Sequence, residues 1–135
     1  MREDANVKVD GNGNGRRRIL FVDDDRETRE MMSVLLGENG HQVVAVSRSE
    51  DGMKLARQGG FVAIVLDAWL PGLDGIELCK SIRTFDCRTP IVFLSGAAQG
   101  EDWENAISAG AQGYFVKPQG LSDLQSYLKR LAGLC

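Results

Sequence analysis

An apolar run near the middle of the chain constrains the fold more than any other feature of the sequence. Phe61–Leu66 contains no polar break and is rich in β-branched residues, which is typical of a strand buried on both faces inside a parallel sheet. The run stops at Asp67, and proline and glycine residues suited to a turn follow as far as Gly75. We therefore expect Asp67 at the carboxyl edge of the sheet, where open α/β sheets bind their ligands. On its own, Asp67 could equally start the turn or cap a helix.

Similar runs recur along the chain and alternate with helical patterns. The other predicted strands are Ile19–Val22, Gln42–Val46, Ile91–Leu94 and Gly113–Val116. Between them, apolar residues recur at the spacing of helices that bury one face. Strict alternation of five strands with five helices over short connections predicts an α/β protein with a doubly wound, five-stranded parallel sheet and helices on both sides.

Several single residues carry local predictions. Ser47 and Glu50 have the spacing of a capping box, which predicts that the second helix begins there. Asp25 is expected to complement the dipole of the first helix at its start, and Asp74 to serve the turn before the third helix. His41, the only histidine of the sequence, precedes a short strand and is expected on the surface.

Composition sets limits on size and partners. A chain of 135 residues fits one domain with its own core, and residues 1–15, rich in glycine and charge, are expected to be a disordered tail or linker before a domain at 16–135. The net charge of -3 gives no reason to expect nucleic acid as a direct partner, and Arg16–Arg18 is interpreted as a solvated lead-in to the first strand. Three cysteines without metal-ligand spacing indicate a reduced, cytoplasmic protein. No apolar run approaches the ~20 residues that cross a membrane.

Four of the five predicted strands end in residues suited to one chemistry. These residues are Asp23, Asp24, Asp67, Ser95 and Lys117. Because parallel strands share a direction, their carboxyl ends converge on one edge of the sheet, and we expect these side chains to meet there. Three neighbouring carboxylates repel one another unless a cation neutralises them, and oxygen ligands of this kind suit Mg²⁺. With an ammonium and a hydroxyl beside them, the arrangement suits a phosphoryl group, and Asp67 is the candidate nucleophile that would form an acyl phosphate.

The motifs at these strand ends resemble those of the receiver domains of two-component response regulators. They are Val22-Asp23-Asp24, Leu66-Asp67 with Pro71-Gly72-Leu73-Asp74-Gly75, Leu94-Ser95-Gly96, and Tyr114-Phe115-Val116-Lys117-Pro118. The resemblance runs from about Arg18 to Leu131. It implies a flavodoxin-like (βα)5 fold with strand order 2-1-3-4-5 and a cis peptide bond between Lys117 and Pro118.

The resemblance also implies a role for each residue of the site. Asp67 would accept a phosphoryl group from a phosphohistidine of a sensor histidine kinase or a histidine phosphotransfer protein. Asp23, Asp24 and Asp67 would hold Mg²⁺ together with the backbone carbonyl of Trp69. Lys117 would pair with the phosphoryl group.

A switch and a phosphoryl lifetime follow from the same resemblance. Ser95 would swing toward the phosphoryl group and Tyr114 would follow inward, which would change the surface formed by the fourth helix, the fifth strand and the fifth helix and could support a phosphorylation-dependent homodimer. Such a protein is a signalling phosphoacceptor that promotes its own phosphorylation, and not an enzyme acting on separate substrates. Trp69 and Ala97 are less usual for the family, the first because it is bulky where water must approach and the second because it has no polar group to orient that water. They predict slow self-dephosphorylation.

Two alternatives stay open. Phosphatases of the haloacid dehalogenase type place Asp-x-Asp after their first strand, as Asp23–Asp25 superficially does, but they would need a further acidic pair beyond Lys117, where the sequence has only Asp123. They would also leave Asp67 without a role. A receiver-like binding module that needs no phosphorylation usually lacks acidic or lysine positions that are present in this chain.

Overall fold

The computed structural model describes residues 17–70, 73–96, 100–131 and 133. Within them, the strands are β1 (Arg18–Val22), β2 (Gln42–Val46), β3 (Ala63–Leu66), β4 (Ile91–Ser95) and β5 (Gly113–Val116). The helices are α1 (Arg26–Glu38), α2 (Ser49–Gln58), α3 (Gly75–Ile82), α4 (Gly100–Ser108) and α5 (Leu121–Leu131). The predictions that fall outside the described residues concern the tail 1–15, Arg16, Pro71, Gly72, Ala97 and Cys135.

The strands form one parallel sheet in the order β2-β1-β3-β4-β5. The register pairs Val22 with Val46 on one side and with Leu66 on the other. Farther along the sheet, Leu66 pairs with Phe93, and Ser95 pairs with Val116. The strands therefore end nearly level, at what we call the carboxyl edge, and begin at the opposite amino edge. The predicted doubly wound fold with strand order 2-1-3-4-5 is confirmed.

Both faces of the sheet are buried. Successive residues of a strand point to opposite faces, so each strand contributes to two cores. One core lies under α2, α3 and α4 and includes Leu20, Val22, Ile64, Leu66, Phe93, Ala56, Leu78, Ile82 and Ala106. The other lies under α1 and α5 and includes Ile19, Phe21, Ala63, Val65, Val92, Met32, Leu36, Leu124 and Leu128. This double burial explains why the strand sequences are continuously apolar until they reach the carboxyl edge.

Two of the predicted helix starts are confirmed. The side chain of Asp25 caps α1 by accepting a hydrogen bond from the backbone N–H of Thr28 at 3.1 Å. Asp74 caps α3 in the same way, through the N–H of Glu77 at 2.9 Å. Each carboxylate satisfies one of the free N–H groups that begin a helix.

The capping box predicted from Ser47 and Glu50 is wrong. The N-cap residue of α2 is Arg48 instead of Ser47, so the helix begins one residue later than predicted, at Ser49, and Arg48 makes no side-chain capping bond. The carboxylate of Glu50 instead accepts hydrogen bonds from the guanidinium of Arg48, at 2.7 and 2.9 Å. Glu50 therefore bonds to the side chain of Arg48 and not to the backbone N–H of the N-cap residue, which a capping box would require.

The predicted surface position of His41 is also wrong, because its side chain is only 5% exposed. The connection from α1 to β2 is short, and the N–H of His41 donates to the carbonyl of Leu36 at 3.0 Å, which brings the imidazole against the body of the protein. Burial lowers the pKa of His41, and the charges of Arg17 and Lys129 lower it further.

Arg83 organises the amino edge. Its guanidinium donates to the carbonyls of Gly110 and Asp86, at 3.0 and 2.9 Å, and to the side-chain oxygen of Gln112, at 3.0 Å. The same Gln112 oxygen accepts the N–H of Ile91 at 2.7 Å. One side chain thus joins the end of α3, the start of β4 and the connection between α4 and β5.

Candidate functional site

Three carboxylates meet at the carboxyl edge. Asp23 follows β1 and Asp67 follows β3, and the N–H of Asp67 donates to the carbonyl of Val22 at 2.9 Å, so the two connections leave the sheet side by side. One carboxylate oxygen from each of Asp23, Asp24 and Asp67 lies within 4.8 Å of the other two. Residues that are far apart in the sequence are thus brought together, as the strand-end pattern predicts.

Hydrogen bonds fix the two less exposed carboxylates. Asp23 is fully buried, and its Oδ1 accepts the N–H of Asp25 at 2.9 Å. The side chain of Arg29 donates to the backbone carbonyl of Asp23 at 2.9 Å, an interaction that the sequence pattern did not indicate. Asp67 is 9% exposed and accepts the N–H of Trp69 at 3.2 Å. Asp24 is exposed, so the group of carboxylates opens to solvent on its side.

The cluster has more negative charge than its neighbours neutralise. The pKa of Asp67 is raised to about 6, mainly by burial and next by the nearby charge of Asp23. The hydrogen bond from Trp69 and the charge of Lys117 act in the opposite direction but do not cancel these effects. A cation at this place would relieve the repulsion, and three carboxylate oxygens are the hard ligands that Mg²⁺ prefers. The residues therefore fit a magnesium ion.

Lys117 reaches the carboxylates from the end of β5, which β3 and β4 separate from β1. It follows β5, its N–H donates to the carbonyl of Ser95 at 2.9 Å, and its ammonium lies 3.4 Å from Oδ2 of Asp23. The peptide bond between Lys117 and Pro118 is cis, as the resemblance implied. The site therefore combines carboxylates from two strand ends with one ammonium from a third.

Ser95 and Tyr114 form a second group beside the carboxylates. Ser95 ends β4 and is fully buried. Tyr114 on β5 is half-buried, and its ring stacks on Phe93 with centroids 5.8 Å apart and planes at 15°. Burial raises the pKa of the Tyr114 hydroxyl, while a hydrogen bond with the Ser95 side chain acts in the opposite direction. This bond links the end of β4 directly to an aromatic side chain on β5.

Gly75 supports the site in a way that sequence reasoning missed. A Cβ atom at this position would lie 2.0 Å from the backbone carbonyl oxygen of Asp67, well inside any allowed contact. The N–H of Gly75 donates to the carbonyl of Ala68 at 3.0 Å. The first residue of α3 is thus packed against the backbone of the Asp67 loop. The available signal was a glycine directly after the N-cap Asp74, a position where glycine has no helical advantage.

Comparison with known proteins identifies the family. Residues 19–129 match the model of the response regulator receiver domain. The chain belongs to this family. Receiver domains of response regulators are signalling modules of two-component systems that histidine kinases phosphorylate, and they typically bind Mg²⁺ at an acidic pocket. The predicted resemblance is therefore confirmed.

Individual relatives agree with this assignment. The transcriptional regulatory protein HprR of Escherichia coli is 35% identical over 79% of this chain, and the match covers 48% of HprR. The chain spans about half the length of the curated relatives that it matches. Their names describe transcriptional regulation, so they give no support to the expectation that nucleic acid is not a direct partner. Among the described residues, no helix is both long and apolar enough to cross a bilayer.

Solved structures show the same fold. The Francisella response regulator 1452 receiver domain superimposes with a TM-score of 0.80 at 26% identity, over 87% of this chain and 97% of that one. The receiver domain of the sensor histidine kinase PA1611 from Pseudomonas aeruginosa gives a TM-score of 0.78 at 31% identity, over 87% of this chain and 98% of that one. That structure has a magnesium ion coordinated in its active site cleft.

Proposed function

We propose that this domain is the phosphoacceptor of a two-component phosphorelay and that Asp67 carries the phosphoryl group. The observation that supports this most directly is the meeting of Asp23, Asp24 and Asp67 within 4.8 Å, with the Lys117 ammonium 3.4 Å from Asp23. Asp67 lies between the other charged groups in chain order and in the sheet, and it is only 9% exposed. A nucleophile in this position is surrounded by the groups that a phosphoryl transfer needs.

The reaction is a transfer between two nucleophiles. A carboxylate oxygen of Asp67 attacks the phosphorus of a phosphohistidine on a sensor kinase or phosphotransfer protein, and forms an acyl phosphate P–O bond. The P–N bond breaks, and its electron pair returns to the imidazole nitrogen of the donor. The attack requires ionised Asp67, so a positive charge that lowers its pKa from about 6 favours the reactive form.

Charge neutralisation by the site residues would support this step. Asp23, Asp24, Asp67 and the backbone carbonyl of Trp69 would hold Mg²⁺, which supplies positive charge next to the phosphoryl oxygens when it is bound. Lys117 already approaches the cluster to 3.4 Å in this structure and would pair with the phosphoryl group. Together these groups would neutralise the charge that spreads over the phosphoryl oxygens in the transition state.

Ser95 and Tyr114 would transmit the modification. The Ser95 side chain would move toward the phosphoryl group, exchanging its hydrogen bond with Tyr114 for one to an anionic oxygen, and the Tyr114 ring would follow inward. The surface formed by α4, β5 and α5 would then change. Trp103 and Ile107 are large exposed apolar side chains on α4, which favours this surface for a phosphorylation-dependent homodimer.

The remaining parts of the proposal concern lifetime and context. Trp69, two residues after Asp67, would restrict the approach of the water that hydrolyses the acyl phosphate. Ala97, two residues after Ser95, would offer no polar group to orient that water, so self-dephosphorylation would be slow. Trp69→Asn should shorten the phosphoryl lifetime; an unchanged lifetime would refute this point.

We further propose that the receiver occupies residues 16–135 in the cytoplasm, after a tail or linker at 1–15.

The deciding experiment is incubation of the protein with Mg²⁺ and acetyl phosphate, followed by intact-protein mass measurement. Wild type should gain one phosphoryl group, Asp67→Asn should gain none, and Glu104→Gln, an exposed carboxylate on α4, should behave as wild type. Tryptophan fluorescence during beryllofluoride titration gives a second readout. No response in wild type would favour a binding module that needs no phosphorylation. Turnover of a phosphate ester that depends on Asp23 and not on Asp67 would favour the phosphatase alternative.

A further inference from the structure

A groove separates α3 from α4, and none of Asp23, Asp24, Asp67 and Lys117 lines it. Of the residues proposed for the phosphoryl chemistry, Trp69 does line it. Its volume is about 340 Å³. The residues used below are Trp69, Asp74, Glu77, Lys80, Asp102 and Asn105, all of which line it. The indole of Trp69 is 62% exposed, although large aromatic side chains are normally well buried. An exposed indole at a concave surface is therefore a feature that a binding partner would explain.

The groove is negatively charged. Three carboxylates line it, from Asp74, Glu77 and Asp102, against a single ammonium from Lys80. The Lys80 ammonium lies 3.3 Å from the Glu77 carboxylate and is engaged there. Two carboxylates are thus left in excess, on the two sides of the groove, since Asp74 precedes α3 and Asp102 belongs to α4. The charge of the groove complements a cation.

We propose that this groove binds an arginine side chain presented by a segment of a partner protein. A guanidinium stacks on the face of an indole and gains cation–π attraction, for which tryptophan is the best aromatic residue. Its remaining N–H groups can donate to carboxylates in pairs, which a lysine ammonium cannot match in geometry. A volume of about 340 Å³ lies at the small end of ligand pockets and suits one long side chain.

This binding is separate from the proposed switch surface. On α4, Asp102 and Asn105 line the groove, whereas Trp103 and Ile107 are exposed and do not line it. Helical geometry places residues 102 and 105 on one side and residues 103 and 107 on another. The proposal does not depend on Asp67 being a phosphoacceptor, so it is tested without Mg²⁺ and without a phosphoryl donor.

The test is an NMR titration of the ¹⁵N-labelled full chain with the blocked peptide Gly-Arg-Gly-Arg-Gly. The matched control peptide has citrulline in place of arginine and keeps the shape without the charge. We expect saturable shifts of the Trp69 indole N–H and of the backbone amides of Asn105 and Ser108, which both line the groove, with a Kd of about 1 mM. The citrulline peptide should bind at least about fivefold more weakly, and a second control peptide with lysine in place of arginine about threefold more weakly.

Three variants complete the test. Trp69→Ala and Asp102→Asn should each weaken binding at least about fivefold, read from the Asn105 and Ser108 amides, while Trp103→Ala should change it less than about twofold. Well-dispersed spectra of each variant establish that it is folded. Equal binding of the arginine and citrulline peptides, or shifts that leave the groove residues unchanged at saturating peptide, would overturn the proposal. Loss of binding in Trp103→Ala with retention in Trp69→Ala would do the same.

Discussion

The two edges of the sheet are made by the same strands but differ in how their polar groups are paired. At the amino edge, the guanidinium of Arg83 has three oxygen acceptors at 2.9 to 3.0 Å, and the carboxylate of Asp86 accepts two backbone N–H groups. At the carboxyl edge, three carboxylates converge within 4.8 Å, with the ammonium of Lys117 beside Asp23. The polar groups of the amino edge are thus paired within the protein, whereas the carboxyl edge keeps negative charge that a cationic ligand would neutralise.

Aromatic contacts strengthen this contrast. The guanidinium of Arg18 lies 4.6 Å from the ring centre of Phe61, and that of Arg57 lies 4.5 Å from the ring centre of Phe85. Both pairs lie where strands begin and helices end. Arg18, Arg57 and Arg83 at the amino edge thus have partners within the protein, whereas an added cation would relieve the repulsion among the carboxylates at the carboxyl edge.

The largest expected effect is on the backbone that supports the carboxyl edge. Gly75→Ala places a methyl group 2.0 Å from the Asp67 carbonyl oxygen, and we expect it to lower the free energy of unfolding by about 3 kcal/mol or more. Gly37→Ala is the matched control, since a Cβ there meets nothing within 4 Å, and it should raise stability by about 0.5–1 kcal/mol. Urea unfolding measures both. Equal stability of the two variants would contradict the close packing of α3 on the Asp67 loop.

The next effect concerns the amino edge alone. Arg83→Ala removes three hydrogen bonds and should lower the free energy of unfolding by about 2–3 kcal/mol. Phosphorylation by acetyl phosphate should proceed at the wild-type rate under conditions where the variant is folded. The exposed Arg88→Ala serves as control and should change neither quantity. A slower phosphorylation in Arg83→Ala would break the separation of the two edges.

The third prediction concerns Asp67 at the carboxyl edge, where a substitution should stabilise the protein and not destabilise it. The native pKa of Asp67 is about 6, above the ordinary value of 3.8. At pH values between these two, the native protein therefore holds a proton that the unfolded chain has lost. Stability contributed by this group therefore falls as pH rises between these values. Without divalent cations, Asp67→Asn should raise the free energy of unfolding at pH 8 by about 1–3 kcal/mol, and the gain should disappear near pH 4. Unfolding curves at both pH values, with Glu104→Gln as control, decide this.

The smallest expected effect is the opposite pH dependence at the amino edge. Burial lowers the native pKa of His41 below the ordinary value of 6.5, so the unfolded chain binds more protons and the stability contributed by His41 falls as the solution is acidified below that value. His41 is the only histidine, and His41→Leu should remove this contribution. The measurement compares the midpoints of urea unfolding at pH 7 and pH 5 in wild type and variant. The same pH dependence in both would show that His41 does not contribute.

The sequence predicted the features that depend on repeated local patterns. Apolar runs located the strands, and polar residues at the ends of those runs located Asp23, Asp67, Ser95 and Lys117 near one another. The strand order came from the family resemblance. The first two residues of Phe61–Leu66 lie outside β3, although the N–H of Val62 already donates to the carbonyl of Arg18 on β1 at 2.8 Å. The apolar run therefore extends beyond the residues that form the regular strand.

Other features depend on contacts that no local pattern records. Arg83 contacts residues 27 and 29 positions away, and nothing in the sequence around it differs from an ordinary exposed arginine at a helix end. The burial of His41 follows from the path of one short connection. The close approach of Gly75 to Asp67 depends on how α3 packs on the sheet. Each of these becomes predictable only after the elements have been assembled.

The helix α4 belongs to both of the surfaces proposed for partners. It has nine residues, a length over which a helix behaves as a stiff body, so a displacement that alters the side with Trp103 and Ile107 also alters the side with Asp102 and Asn105. Two proteins bound on opposite sides would then change each other's affinity without touching. By thermodynamic reciprocity the change would be equal in both directions, and the domain would integrate two inputs through a single short helix.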